Sequence, residues 1–114
     1  PELSGLALVF SGRSSGARVA CRGASNPDLL PRPKAVVAGA FPVHPPGKPE
    51  MLRLPELDAV KVPVLVVQGE SDPFGMPPRG RRRTIAVVRG DHSLRSDTAG
   101  LAVAVHSWLL ELLA

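Results

Sequence analysis

Apolar residues along this chain fall into short dense runs separated by glycine- and proline-rich stretches. Leu6, Ala7, Leu8, Val9 and Phe10 are uninterrupted and bounded by Gly5 and by Ser11-Gly12, which predicts a strand over residues 6–10. Residues 35–41 give a second apolar strand, and residues 62–68 a third that is rich in β-branched side chains and closed by Gly69. Pro63 is tolerated only near the start of that strand. Residues 84–88 form a fourth, closed by Arg89-Gly90. The period changes in two places. Residues 16–22 are predicted as a helix with small apolar positions at Ala17, Val19, Ala20 and Cys21, and Gly23 is expected to end it. Residues 98–113 place Leu101, Val105, Trp108, Leu109 and Leu112 at helical spacing and give the clearest helix. Asn26-Pro27-Asp28 and Pro31-Arg32-Pro33 mark loops, and four prolines within residues 42–49 require an irregular extended segment. Residues 50–59 read as a short helix or turn. Residues 71–83 read as loop, because Pro73, Gly75, Pro77, Pro78 and Gly80 break helices.

Strands alternating with helices or crossovers predict an α/β fold of about four mostly parallel strands with flanking helices. Strands without polar alternation fit a sheet covered on both faces. The 114 residues suffice for one domain with a core, and 44% hydrophobic content favours a globular fold over disorder. No apolar run approaches the 18 or so residues of a membrane span, and no signal-peptide pattern opens the chain. The first residue is Pro1 and not methionine, which points to a fragment or a processed product. A lone cysteine, Cys21, excludes an internal disulfide and fits a cytoplasmic location; it is expected to pack against the sheet as a small apolar residue. The net charge of +4 comes from 14 basic and 10 acidic residues.

The chemistry begins where the first predicted strand runs into Gly12-Arg13-Ser14-Ser15-Gly16. A strand, then G-x-S-x-G, then a helix is the arrangement of a nucleophile elbow, a sharp turn that projects the serine oxygen above the sheet. Open α/β sheets bind ligands at the carboxyl ends of their strands. Ser14 lies just past the first strand, Asp72 past the third and His92 past the fourth, so all three fall on that edge. A serine hydroxyl is a weak nucleophile and needs a base within hydrogen-bond reach. In this reading His92 takes the Ser14 proton, Asp72 fixes the imidazole tautomer, and the Ser15 N–H at the helix start is one half of an oxyanion hole. Asp91 is the competing carboxylate, but adjacency to His92 in sequence points the two side chains apart.

These residues carry a family resemblance. Residues 12–18, 41–50 (Phe41-Pro42-Val43-His44 and onward), 67–75 (through Asp72-Pro73-Phe74) and 90–94 (Gly90-Asp91-His92-Ser93-Leu94) resemble α/β hydrolases of the dienelactone-hydrolase-like group. The resemblance is strongest to the small subgroup that includes testis-expressed protein 30 and the hydrolase-like domain of regulatory NSL complex subunit 3. It covers essentially the whole chain and implies a Ser14–Asp72–His92 triad and a hydrolase activity, but no particular substrate. It also implies a departure, because a complete member would carry earlier strands, about 8 in all, and a loop supplying the second oxyanion N–H. The chain thus reads as the C-terminal half of that fold, as one N-terminally truncated domain over residues 1–114. Its first strand would present an unpaired apolar edge, to be met by a missing N-terminal segment or by a second copy.

Arg13, His44 and Phe74 lie near the same edge and are candidates for a substrate pocket, with a hydrogen-bonded loop histidine as the alternative reading of His44. His106 falls in the last helix and reads as a packing or surface residue. No His, Cys, Asp or Glu pair has metal-ligand spacing, so neither metal nor other cofactor is expected. Arg79, Arg81, Arg82 and Arg83 form a basic run, but the chain has no tyrosine and the run no interleaved aromatic, which argues against nucleic acid and for a solvated loop. The expectation is a serine hydrolase cleaving an ester or related acyl bond of a small-molecule substrate through an acyl-enzyme. The alternative is a catalytically impaired hydrolase-like module acting in protein–protein interaction.

Overall fold

Four strands hydrogen-bond side by side in the order in which they occur in the chain, and every pairing is parallel. The computed structural model describes residues 8–114. β1 (Val9–Arg13) leads into α1 (Ser15–Ser25), then come β2 (Ala35–Gly39), α2 (Leu54–Asp58), β3 (Val64–Gly69), β4 (Arg83–Val88) and α3 (Thr98–Leu113). The architecture is α/β, one parallel sheet of four strands with flanking helices, as the alternation of elements in the sequence predicts.

Alternate residues of each strand serve opposite layers. Val36 and Ala38 of β2, and Val64 and Val66 of β3, pack with Ala17, Cys21, Phe41 and Leu57 on the face covered by α1 and α2. Leu65 and Val67 point the other way, where Leu101, Val105 and Trp108 of α3 close over them with Val88 and Leu94. This two-sided burial is why the strands read as continuous apolar runs. Each fully buried valine or leucine of β3 contributes about 1.5–3 kcal/mol. The predicted stripe on α3 is its sheet-facing side, although none of its residues is fully buried.

β2 stops at Gly39 and not at Phe41, β3 begins at Val64 and not at residue 62, and α2 covers only Leu54–Asp58 of the expected 50–59; two further shifts have a local cause. β1 extends through Ser11, Gly12 and Arg13, because parallel pairing with Val37, Ala38 and Gly39 continues past the apolar run; Leu6 and Ala7 of the expected strand lie outside the described residues. α1 continues beyond Gly23 to Ser25. A Cβ at Gly23 would stand 3.3 Å from the Phe10 ring, so this glycine serves close helix–strand packing and does not terminate the helix.

β1 is bonded to β2 on one side only, and among the described residues nothing pairs with its other edge. Alongside that edge an apolar groove of about 600 Å³ runs between Phe10 of β1 and Val19 and Leu29. No helix among the described residues is long and apolar enough to cross a membrane.

α1 and α2 are joined by a two-pronged ion pair, Arg18 Nε to Glu56 Oε1 at 2.6 Å and Nη2 to Oε2 at 2.8 Å. The Arg18 hydrogen bond holds the Glu56 carboxyl below its ordinary range, despite some opposing desolvation. A depressed folded pKa stabilises above the unfolded value of about 4.3, and the contribution disappears as pH falls through the lower folded value. Urea denaturation should therefore show Glu56→Gln less stable than the native chain by up to about 1 kcal/mol at pH 7, with the gap closing as pH falls below the ordinary carboxylate range. An unchanged gap at acid pH would mean that the pair is not what Glu56 contributes.

Candidate active site

The turn from β1 into α1 is strained at one residue. Ser14 has φ 56° and ψ −120°, a left-handed backbone that L-residues rarely adopt and that costs about 1–3 kcal/mol. Its N–H donates to Gly39 O at 2.9 Å, and its carbonyl accepts from Ala17 N at 2.9 Å, so the turn is held from both sides. The two glycines of the pentapeptide are not equivalent. A Cβ at Gly12 would collide with the backbone of Gly16 and Ala17, whereas one at Gly16 would meet open space. Serine is a favoured N-cap residue, and Ser14 occupies the N-cap position of α1, yet its side chain makes no capping bond. Its Oγ lies 2.7 Å from His92 Nε2 instead.

His92 Nδ1 is 2.8 Å from Asp72 Oδ2. A carboxylate only accepts, so the Nδ1 proton is donated to Asp72 and Nε2 is left to accept from the Ser14 hydroxyl. The Asp72 side chain is fully enclosed (0% exposed), and its other oxygen accepts the Phe74 N–H at 2.8 Å. The loops carrying these two residues are bonded to each other, Glu70 N to Val88 O at 2.8 Å and Ser71 N to Gly90 O at 3.0 Å. That approach requires Gly69, where a Cβ would strike the Gly90 and Asp91 carbonyls. Leu94, buried in the α3-side core, anchors the far side of the His92 loop. Asp91 is turned to its own loop, where Oδ1 accepts from the Ser93 N–H and hydroxyl; these bonds hold its carboxyl below the ordinary range.

The structure thus brings Ser14, Asp72 and His92 into one hydrogen-bonded chain. Ser15 is exposed in the first turn of α1, where the helix offers its N–H no acceptor. Phe74 lies flat against the His92 ring, with centroids 3.9 Å apart and planes 24° from parallel. Arg13 Nη1 donates to Ser93 O at 3.3 Å, reaching across to the His92 loop. His44 is bonded within its own surroundings, Nδ1 to Pro45 O at 2.8 Å and N–H to Phe74 O at 3.0 Å. Cys21 is buried beneath α1, and burial pushes its thiol up to about 12, which leaves it protonated and unreactive. His106 is exposed on α3. Among the described residues no three His, Cys, Asp or Glu side chains gather as a metal would require.

Sequence reasoning passed over Gln68. It is the one polar residue buried in its entirety, backbone and side chain, among the described residues, and its amide is saturated: Oε1 accepts from Phe41 N at 2.9 Å, and Nε2 donates to Phe41 O at 2.7 Å and Gly75 O at 2.8 Å. It therefore ties the loop after β2 to the loop that carries Asp72 and Phe74. A glutamine closing an otherwise apolar strand is the only sequence signal it gives.

A family model described as alpha/beta hydrolase domain matches residues 2–101. No curated protein and no solved structure matches the chain.

Replacing Gln68 with Leu leaves the Phe41 N–H and two carbonyls without partners in the interior. The expected loss is about 3 kcal/mol or more in urea denaturation, since each of the three unsatisfied groups costs about 1–3 kcal/mol. A loss under about 0.5 kcal/mol would show that water takes over these bonds.

Proposed function

The chain belongs to the alpha/beta hydrolase domain family, and on that footing we propose that it is a serine hydrolase cleaving an ester or related acyl bond through an acyl-enzyme. The observation that carries this reading is the unbroken relay from Ser14 Oγ through His92 to Asp72, at 2.7 and 2.8 Å, on a serine held at positive φ.

His92 Nε2 accepts the Ser14 hydroxyl proton as Oγ attacks the substrate carbonyl. The imidazolium so formed is stabilised by Asp72 through Nδ1–H, and by the Phe74 ring stacked on it. The negative charge on the carbonyl oxygen is met by the Ser15 N–H and the positive end of α1. His92 then gives its proton to the departing alcohol, and the acyl group remains on Ser14. In the second half a water molecule loses a proton to His92 and attacks the acyl carbon; the proton returns to Ser14 as the acid departs. Arg13, next to Ser14 in the chain and bonded to the His92 loop, Phe74, stacked on His92, and His44, bonded to Phe74, are proposed to shape the substrate pocket. The substrate in this reading is a small acyl compound, by analogy with the dienelactone-hydrolase-like group that the sequence resembles.

The open edge of β1 favours a second reading. An edge that pairs with nothing among the described residues, beside an apolar groove of about 600 Å³, suits the addition of a strand, from a second copy or from further chain. In this reading the fold is an interaction module and the elbow is retained architecture.

A fluorophosphonate probe separates the two. The hydrolase reading expects a covalent adduct on Ser14, none in Ser14→Ala, and labelling slowed by about 10³-fold or more in His92→Ala. A folded, monodisperse sample that takes up no probe would sink it. The edge reading expects a dimer in sedimentation velocity at micromolar concentration, reverting to monomer in Val19→Glu. A native chain that is monomeric at about 100 μM, above the range of specific protein association, would exclude self-pairing at this edge.

A further inference from the structure

At the sheet edge opposite the triad, where β3 and β4 begin, a cavity of about 310 Å³ is walled by Arg79, Arg81, Arg82 and Arg83 and floored by Leu57 and Val64. β4 is six residues long, so at about 3.3 Å per residue this cavity lies on the order of 20 Å from His92 and is no part of the relay.

Its arginines divide into two kinds. Arg83 is a fixed wall: its side chain is only 10% exposed, Nη1 donates to Pro78 O at 3.0 Å, and Nη2 pairs with Asp58. Arg79, Arg81 and Arg82 are exposed and have no acidic partner among the described residues. Their backbone is nevertheless held in place. Gly80 and Arg83 form a short antiparallel bridge, and the Arg82 carbonyl accepts the Val64 N–H at 2.7 Å. Four guanidinium groups against one carboxylate leave a net charge of about +3 around a space of ligand size. Nothing in the core requires that concentration of like charge. Planar guanidinium groups on a fixed backbone suit the oxygens of a phosphate, which accept two parallel N–H bonds from each fork. No aromatic side chain lines the cavity, so a nucleobase has no ring to stack on.

We propose that this cavity is a binding site for the diphosphate group of a small molecule, separate from the hydrolytic centre. The group lies among the Arg79, Arg81 and Arg82 guanidiniums, with the immobile Arg83 behind it. The same chemistry is met by inorganic pyrophosphate, which serves as the probe.

Isothermal titration of the full chain with pyrophosphate at low salt is expected to show saturable one-site binding. Arg81→Ser combined with Arg82→Ser should weaken it by about tenfold or more, because two of the three arginines without an acidic partner are removed. Arg79→Ser, at the solvent side of the loop, provides a second variant should the double variant fold poorly. Lys48→Ser, exposed in another loop, should bind as the native chain does. Absence of binding to the native chain, or binding unaffected by the arginine variants, would overturn the proposal. So would an oligonucleotide that binds through these arginines and is not displaced by pyrophosphate, because the surface would then be one for nucleic acid. Fluorophosphonate labelling of Ser14 in the arginine variants keeps the outcome here distinct from that at the triad.

Discussion

The parallel register of the sheet is the constraint on which the rest of the structure depends. Arg13 of β1 stands opposite Gly39 of β2, and Gly39 opposite Val67 of β3, so three strands reach one level together. β3 runs two residues further and ends beside β4, with Gly69 opposite Val88. Ser14 is then one residue above that level, while Asp72 and His92 are carried by loops leaving the last two strands. A shift of β1 by one residue would reverse its faces and withdraw the serine from the histidine.

The register brings the residues to one edge, and short-range packing then fixes their geometry. Gly12 lets the elbow close against Gly16 and Ala17, and Gly69 lets the Asp72 and His92 loops touch. The strain at Ser14 is offset by its bond to Gly39, and Gln68 holds the Asp72 loop from within. Little of this positioning comes from helix propensity or surface charge. It comes from buried backbone groups that must be paired, and each pairing draws one loop against the next.

The two edges of the sheet differ in charge because they differ in what they enclose. At the carboxyl edge a fully enclosed carboxylate faces an imidazole. At the amino edge three exposed arginines surround a cavity with Asp58 alone to oppose them among the described residues. The third boundary, the outer side of β1, is apolar and unpaired among the described residues. These surfaces make different demands on any ligand or partner, and the sheet keeps them apart.

Much of this was legible in the chain. The apolar runs locate β2, β3 and β4, the helical stripe delimits α3 at Thr98–Leu113, and the order Ser14, Asp72, His92 at successive strand ends points to one edge. These features are local, set by period, by β-branching and by the residues that stop a strand. The sequence did not reveal that Gly23 lies inside α1, that Phe74 stacks on the histidine or that Gln68 is buried and saturated. Nor did it distinguish the arginine run as a solvated loop from the same run as the wall of a cavity. Each of those depends on a neighbour distant in sequence: Phe10 for Gly23, His92 for Phe74, Phe41 for Gln68, and Leu57 and Val64 for the arginines. The sequence by itself determined which segments become strands and which chemistry stands at their ends. Tertiary structure alone decided which side chains meet, because contacts across the sheet depend on register and loop closure, and no local pattern encodes these.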